Sequence, residues 1–487
     1  MVSVLLKERK TVGIIAFTAA GCAWFAWEVT GALLWGTALR LVASFLFAAA
    51  IAVIWPLEAK ILSRYLKMDY AEAAGKIASS WHALIVLPFS ALYFNGLIRT
   101  AFLKQDPSAA RVAALALFVT GVAVAGSICL KVLLLWRRSG AMLAALEERA
   151  EKIVWGAAVV YFVVFAALAF VAYSRFKYHS DLGEYNQTLW ATLNGRFFYT
   201  TVEETAQSYL GTHISPFLLL LLPVYSLFQS PLLILFLRSL ALALAAVPMF
   251  YCIRRLSGSG VAALLLSVAF LFHPEIVSQH FTSGYEVVFA AGFFLTAFYF
   301  FTRGRFGLFM LFLVLTLSVR EDMVPVAFAF FVYALIKRRQ VKWVLAPLAL
   351  GVVWQVAVIL IFNAVVENWV FNLYYGHFGS SPAEMLKTII FHPVYAIEET
   401  VRLHRSFLYN LLMPEAFILP WTGLASLFAL PNLATSLARG QDFSAAAGGI
   451  SHYSVIVVSS LWLGLTGYIK RAQRRYSDSR KEGVAAF

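Results

Sequence analysis

Residues 153–173 read IVWGAAVVYFVVFAALAFVAY, an apolar run without a single charge. At about 1.5 Å of rise per residue, a helix of this length matches a hydrocarbon core roughly 30 Å thick. Hydrocarbon offers no water to unpaired backbone groups, so a spanning segment is either a helix or a strand of a closed barrel. Barrel strands alternate apolar and polar residues, and this run does not. The same reading applies to 231–252, 285–301 and 342–362. The expected fold class is therefore all-α, a polytopic transmembrane helical bundle.

Composition agrees. Hydrophobic residues make up 61% of the 487-residue chain and charged ones 13%, with a mean hydropathy of +0.78. A soluble domain needs more charge than this to stay dissolved. Cys22, Cys129 and Cys252 all lie in or beside apolar runs, without metal-ligand or disulfide spacing. The net charge of +14 does not indicate nucleic acid, because the basic residues gather in short clusters beside apolar runs. The apolar stretch after the basic start MVSVLLKERK lacks a signal-peptidase pattern and reads as a retained first helix.

Those clusters lie at 7–10, 60–76, 131–152, 254–255, 303–305, 337–342 and 470–481. Lysine and arginine beside spans stay cytoplasmic. Keeping every cluster inside requires that 214–229, ISPFLLLLLPVYSLFQ, enter the membrane without crossing it. It is short and carries Pro216 and Pro223, as a re-entrant or interfacial helix would. The expectation is then about fourteen spans with both termini cytoplasmic. They fall near 11–30, 37–56, 78–97, 111–136, 153–173, 231–252, 260–273, 285–302, 305–319, 323–336, 342–362, 407–419, 420–436 and 452–470, the pair 407–436 forming a hairpin broken at Pro420. Residues 1–150 form an accessory group of spans, 151–470 the main membrane domain, and 471–487 a basic cytoplasmic tail. Two non-cytoplasmic loops, 174–213 and 363–406, are too long to be turns. Leu182, Tyr185, Leu189 and Leu193 recur at helical spacing in the first, predicting an amphipathic helix on the membrane surface.

This topology brings Asp181, Glu184, His213, His273, Glu275, Glu286, Arg320, Glu321, Asp322 and His452 to one membrane face, with every histidine except His82. Asp181 opens SDLGEYNQ, where it is either a cap completed by Glu184 or a general base for an acceptor hydroxyl. Arg238 lies about eight residues into a span, deep enough to need a carboxylate, a carbonyl or a phosphate as partner. Arg320-Glu321-Asp322 stands at a turn between spans, more charge than a helix start needs, and suits a phosphate with a divalent cation. Glu286 opens a span, where a carboxylate also complements the helix dipole. His213 and His452 each precede an apolar run, and His273-Pro274-Glu275 begins an external loop. The motifs of soluble hydrolases, metalloproteases and nucleotide-binding enzymes are absent from suitable contexts.

The order of these features resembles an uncharacterised family of predicted bacterial membrane proteins over about residues 174–470. The matching landmarks are Asp181-Leu182-Gly183 with Gln187, His213-Ile214-Ser215-Pro216, and Glu321-Asp322. The layout is also similar to the GT-C superfamily of integral-membrane glycosyltransferases. Its landmarks have counterparts in Asp181, the proline-bearing segment 214–229, Arg238, the Arg254-Arg255 pair and Glu286. The chain departs from that superfamily in its first four spans, in lacking a large soluble C-terminal domain, and in having Arg320-Glu321-Asp322 where a Lys-Gly-Pro-like turn is usual.

The resemblance implies transfer of a sugar from a polyprenyl-phosphate-linked donor to an acceptor on the non-cytoplasmic face. Asp181 would be the base. Arg238 and Arg320 would meet the phosphate, while Gln187, His213, Glu286, His273 and His452 would line the substrate. Glu321 and Asp322 would hold Mg²⁺ or Mn²⁺. Two other readings use the same residues: a transporter or flippase of a lipid-linked or anionic substrate, and a silent membrane scaffold whose charges are helix ends. Membrane lipids are the expected surroundings in all three.

Overall fold

The turn Ser257-Gly258-Ser259-Gly260 shows how this chain reverses between apolar helices. Gly258 takes a left-handed conformation (φ 76°) that closes one helix, and the Ser259 side chain accepts from the Ala262 N–H to open the next. The computed structural model describes residues 140–176, 178, 181–202, 207–281, 286–365, 376–412, 418–438 and 454–485, with a few positions between 60 and 70. The chain divides into two compact units, Met1–Leu146 and Glu147–Phe487, and most of the described residues belong to the second. The first four expected spans lie outside the described residues, as does His452.

The described residues form helices and short turns, and their only β pairing is an isolated bridge between Tyr199 and Ser208. In order the helices are α1 (Gly140–Ser174), α2 (Asp181–Leu193), α3 (Phe217–Tyr225), α4 (Pro231–Ser257), α5 (Gly260–Leu271), α6 (Pro274–Ser278) and α7 (Val287–Arg303). Next along the chain come α8 (Phe306–Val319), α9 (Val324–Ile336), α10 (Val341–Val365), α11 (Pro382–Phe391), α12 (Pro393–Leu412), α13 (Ala429–Leu437) and α14 (Val455–Ala485).

Among them, α1 over Ala144–Ser174, α4 and α10 are long and apolar enough to cross a membrane. Their apolar windows are 28%, 56% and 22% buried within the protein, so α4 is central while α1 and α10 present most of their surface outward. Val160, Val163 and Phe170 of α1, and Val353 and Leu360 of α10, would be costly in water and suit lipid instead.

The core gathers around α4, which packs on α5, α7 and α14, while α7 pairs with α8 and α9 with α10. Phe294, Phe298, Phe301, Phe309, Phe330 and Phe428 interlock there, the Phe330 and Phe428 rings 4.6 Å apart. Arg339 covers one end of this cluster, its guanidinium 4.6 Å from the Trp343 ring. On α14, Gly464 and Gly467 let the helix meet the turns at 419–428 backbone to backbone. A Cβ on Gly464 would overlap the Pro420 carbonyl, and one on Gly467 the Thr422 carbonyl.

Segment 214–229, expected not to cross the membrane, yields α3, nine residues and thus about 14 Å long, too short to span a bilayer. Several expected spans differ in the structure. The apolar residues 407–412 are not a separate span but the end of the amphipathic α12, which starts at Pro393. Residues 420–436 form two 3₁₀ turns, Leu419–Thr422 and Leu424–Phe428, followed by the short α13. Pro420 and Gly423 interrupt what hydropathy alone reads as continuous. Residues 471–485, expected to form a tail, continue α14 as helix.

Candidate functional site

Helix α2 is amphipathic. Leu182, Tyr185 and Leu189 face inward at helical spacing, against Tyr209, Tyr225, Ile234 and Leu235. Burying Tyr185 on this face carries its hydroxyl inward as well, and a buried hydroxyl needs a partner. It donates to Oε2 of Glu286 at the start of α7 and accepts from the Tyr209 hydroxyl at 2.7 Å. Glu286 makes no cap bond to its own helix, so its carboxylate is turned across the site.

Arg320 occupies the break between α8 and α9, in extended backbone with its side chain fully buried. Nη1 donates to Glu286 Oε1 at 3.4 Å. Nε donates to Asp322 Oδ1 at 2.9 Å, and Nη2 pairs with Asp322 Oδ2, giving a two-pronged hold on that carboxylate. A continuous chain thus runs Tyr209, Tyr185, Glu286, Arg320, Asp322. Burial raises the Tyr209 pKa well above its ordinary value. Arg320 opposes that shift, and Glu321, Glu184 and Asp181 reinforce it, so the phenol is a proton donor at neutral pH.

His213 and Glu321 stand beside this chain. His213 Nδ1 lies 2.9 Å from Glu321 Oε1, and the Ile214 N–H donates to Glu321 Oε2 at 2.9 Å. The Ser215 hydroxyl donates to the Val319 carbonyl at 2.5 Å, so residues 213–215 are pinned to the α8–α9 break along their length. Asp181 and Glu184 occupy the first turn of α2, where carboxylates complement the helix dipole. Gln187, on the same helix, accepts from the Thr201 N–H at 3.1 Å and from the hydroxyls of Thr200 and Thr201, holding the following loop against α2.

Two expected residues stand in other clusters. Arg238 is buried on α4, its guanidinium 6.0 Å from the Tyr178 ring. Next to it Ser239 meets His280 Nδ1 at 3.2 Å, while His280 Nε2 meets the Tyr161 hydroxyl at 3.1 Å. Burial, and then the Arg238 charge, hold the His280 pKa well below its ordinary value, so this ring is neutral. His273 caps α6 by accepting from the Glu275 N–H at 3.2 Å, and its Nε2 meets the Leu411 carbonyl at 3.3 Å. Sequence reasoning gives no chemical role to Tyr185, Tyr209 or His280. A hydroxyl on the inward stripe of an amphipathic helix is the available signal for Tyr185.

Among the described residues no three histidine, cysteine or acidic side chains are arranged to hold a metal. Both oxygens of Glu321 are taken by His213 and Ile214, and both oxygens of Asp322 by Arg320. As arranged, this donor set does not fit Mg²⁺ or Mn²⁺, since the Arg320 guanidinium fills the place of the cation.

Apolar space adjoins the polar chain. A narrow slot is lined by Leu189, Leu218, Leu221, Leu237 and Phe289 together with Tyr185 and Glu286, the one charged side chain of its lining. Across the first turns of α4 lies a cavity of about 340 Å³ between α1 and α4, lined entirely by apolar side chains. Phe170, Phe228 and Phe236 at its edge are about half exposed.

Residues 173–485 match DUF2079, a family described as predicted membrane proteins, and the match covers the polar chain from Tyr185 and Tyr209 to Asp322. No curated protein matches the chain.

Proposed function

The chain belongs to the DUF2079 family of predicted membrane proteins, and from that premise we propose that it is a glycosyltransferase of the GT-C kind. It would move a sugar from a polyprenyl-phosphate-linked donor to an acceptor on the non-cytoplasmic face. The observation that carries this reading is the fully buried Arg320, held by Glu286 and Asp322, with Glu286 also lining a narrow apolar slot. An amphiphile with a long hydrocarbon chain and a phosphate needs that combination: low-dielectric walls and a fixed cation behind them. Within such walls a guanidinium aimed at the leaving phosphate acts more strongly than it would in water. The slot is narrow, about 10 Å³, so its walls, Leu218 and Leu221 among them, would have to move for a chain to enter. The larger α1–α4 cavity gives the rest of the chain a place open to lipid.

In this reading the chain crosses a bacterial plasma membrane many times with both termini cytoplasmic, as the distribution of basic residues suggests. Arg320 and Glu286 are the groups nearest the donor phosphate. The proton of the acceptor hydroxyl passes to one of the groups around Tyr209, which are Asp181 and Glu184 on α2 and His213 beside Glu321. The gathering of these charges around the buried Tyr209, with Glu286 of the same chain lining an apolar slot, favours a substrate site over a silent scaffold.

The test is photolabelling of the protein in nanodiscs with a diazirine-bearing polyprenyl phosphate. Labelled peptides are expected to contain Leu218 or Leu221, and excess polyprenyl phosphate should compete where phosphatidylglycerol does not. Labelling spread over the outward faces of α1 and α10 would overturn the assignment of the slot.

A further inference from the structure

We propose that the His213–Glu321 pair is the base of this site, with His213 Nε2 accepting the proton of the acceptor hydroxyl. The inference rests on the transfer reading above and moves the base from Asp181 to His213. A carboxylate only accepts hydrogen bonds, so the 2.9 Å contact with Glu321 puts the proton on His213 Nδ1 and leaves the Nε2 lone pair for chemistry. Glu321 is held in turn by the Ile214 N–H at 2.9 Å, and the Ser215 hydroxyl ties the same segment to Val319 at 2.5 Å. The imidazole is thus oriented by a carboxylate that is itself oriented, the arrangement an enzyme base requires. Among the described residues nothing comparable holds Asp181, in the first turn of α2.

Position agrees with geometry. The His213 and Glu321 side chains are 23% and 18% exposed, while that of Arg320, one residue from Glu321, is 0% exposed. The pair is therefore partly exposed, while the neighbouring cation is buried. The Tyr209 ring is 6.0 Å from the His213 ring. The charged groups of this region are Glu321, Arg320 and Asp322 from the α8–α9 break, with Asp181 and Glu184 from α2.

In the transfer step, Nε2 takes the hydroxyl proton as the acceptor oxygen bonds to the anomeric carbon. The bond from that carbon to the phosphate oxygen breaks, and its electron pair leaves with the phosphate, where Arg320 opposes the new negative charge. Glu321 stabilises the imidazolium, which returns its proton to water. Glu321 is a positioning residue here, since it acts only through His213.

The experiment measures release of polyprenyl phosphate from a polyprenyl-phosphate hexose in nanodiscs, with water as acceptor. His213→Ala should fall by about 100-fold or more, the usual range for a lost general base. Imidazole added to the buffer should restore part of that rate. Glu321→Gln should lose rate as well, without rescue by imidazole. His213→Gln keeps a hydrogen bond to Glu321 and guards against misfolding, since it should lose the rate with its melting temperature unchanged. A folded His213→Ala that works at the wild-type rate, or one whose loss imidazole does not touch, overturns the base. A wild type that releases nothing overturns the transfer reading itself, whatever the variants do.

Discussion

Arg320, at the break between α8 and α9, donates to Glu286, which lies 34 residues earlier at the start of α7. Both side chains are fully buried. A buried charge without its partner is far more costly than the pair is stabilising, because the desolvation already spent is no longer offset. Arg320→Met should therefore destabilise the protein by about 3–5 kcal/mol. Thermal unfolding in detergent measures this, and the double variant Arg320→Met with Glu286→Gln should recover much of the loss. A melting temperature equal to wild type for the single variant would mean that the pair is not desolvated.

Tyr185 joins α2 to α7 through Glu286, and Tyr209 joins the segment before α3 to Tyr185. Tyr185→Phe removes a donor to a carboxylate and should cost about 1.5–3 kcal/mol. Tyr209→Phe removes a neutral bond and should cost about 1 kcal/mol. The order of the two melting temperatures is the check. The reverse order would place the weight of the network on Tyr209.

Gly464 meets the Pro420 carbonyl so closely that no side chain fits, whereas a Cβ on Gly292 of α7 would have open space around it. Gly464→Ala should therefore destabilise by about 1–3 kcal/mol, the range for overpacking. Gly292→Ala should be neutral or mildly stabilising, because alanine favours helix by up to about 1 kcal/mol. Equal melting temperatures for the two variants would show that α14 does not approach the 419–428 turns as described.

Asp181→Asn keeps the hydrogen-bonding capacity of the first turn of α2 and removes its charge. With His213 as base, this variant should retain at least about a tenth of the wild-type rate, while His213→Gln falls by about 100-fold or more. Paired rate measurements on the two purified variants decide the point. Loss in Asp181→Asn alone would return the base to Asp181.

The features legible in the sequence are those that depend on local pattern. The apolar run 153–173 reads as helix because its length and lack of alternation admit little else, and α1 is found there. The stripe Leu182, Tyr185, Leu189 places α2 for the same reason. Segment 214–229 carries the marks of a segment that does not cross, and α3 is too short to do so. The consecutive charges of Arg320-Glu321-Asp322 stand out because apolar residues flank them on both sides.

Hydropathy is blind to what surrounds an apolar residue. At 407–436 it reports burial without distinguishing lipid from protein, so the end of α12, the two 3₁₀ turns and α13 look like a hairpin of spans. The union of Tyr185 with Glu286 spans 101 residues, and the pattern of neither segment carries it. Periodicity records the apolar ring of Tyr185 and overlooks its hydroxyl. The depth of Arg238 shows in the sequence that it needs neighbours, yet a single chain offers no means of naming Tyr178 and His280 as those neighbours.

Turnover decides whether this protein transfers sugar. Purified protein in nanodiscs would be given a native pool of lipid-linked sugars, and free polyprenyl phosphate would be followed over time beside an Arg320→Lys control. Lysine keeps the charge of Arg320 but loses its fork. A transferase with Arg320 behind the donor phosphate should show steady release by the wild type and little by Arg320→Lys. No release by either, with intact lipid-linked sugar moved from one leaflet to the other, would contradict transfer and make the protein a transporter.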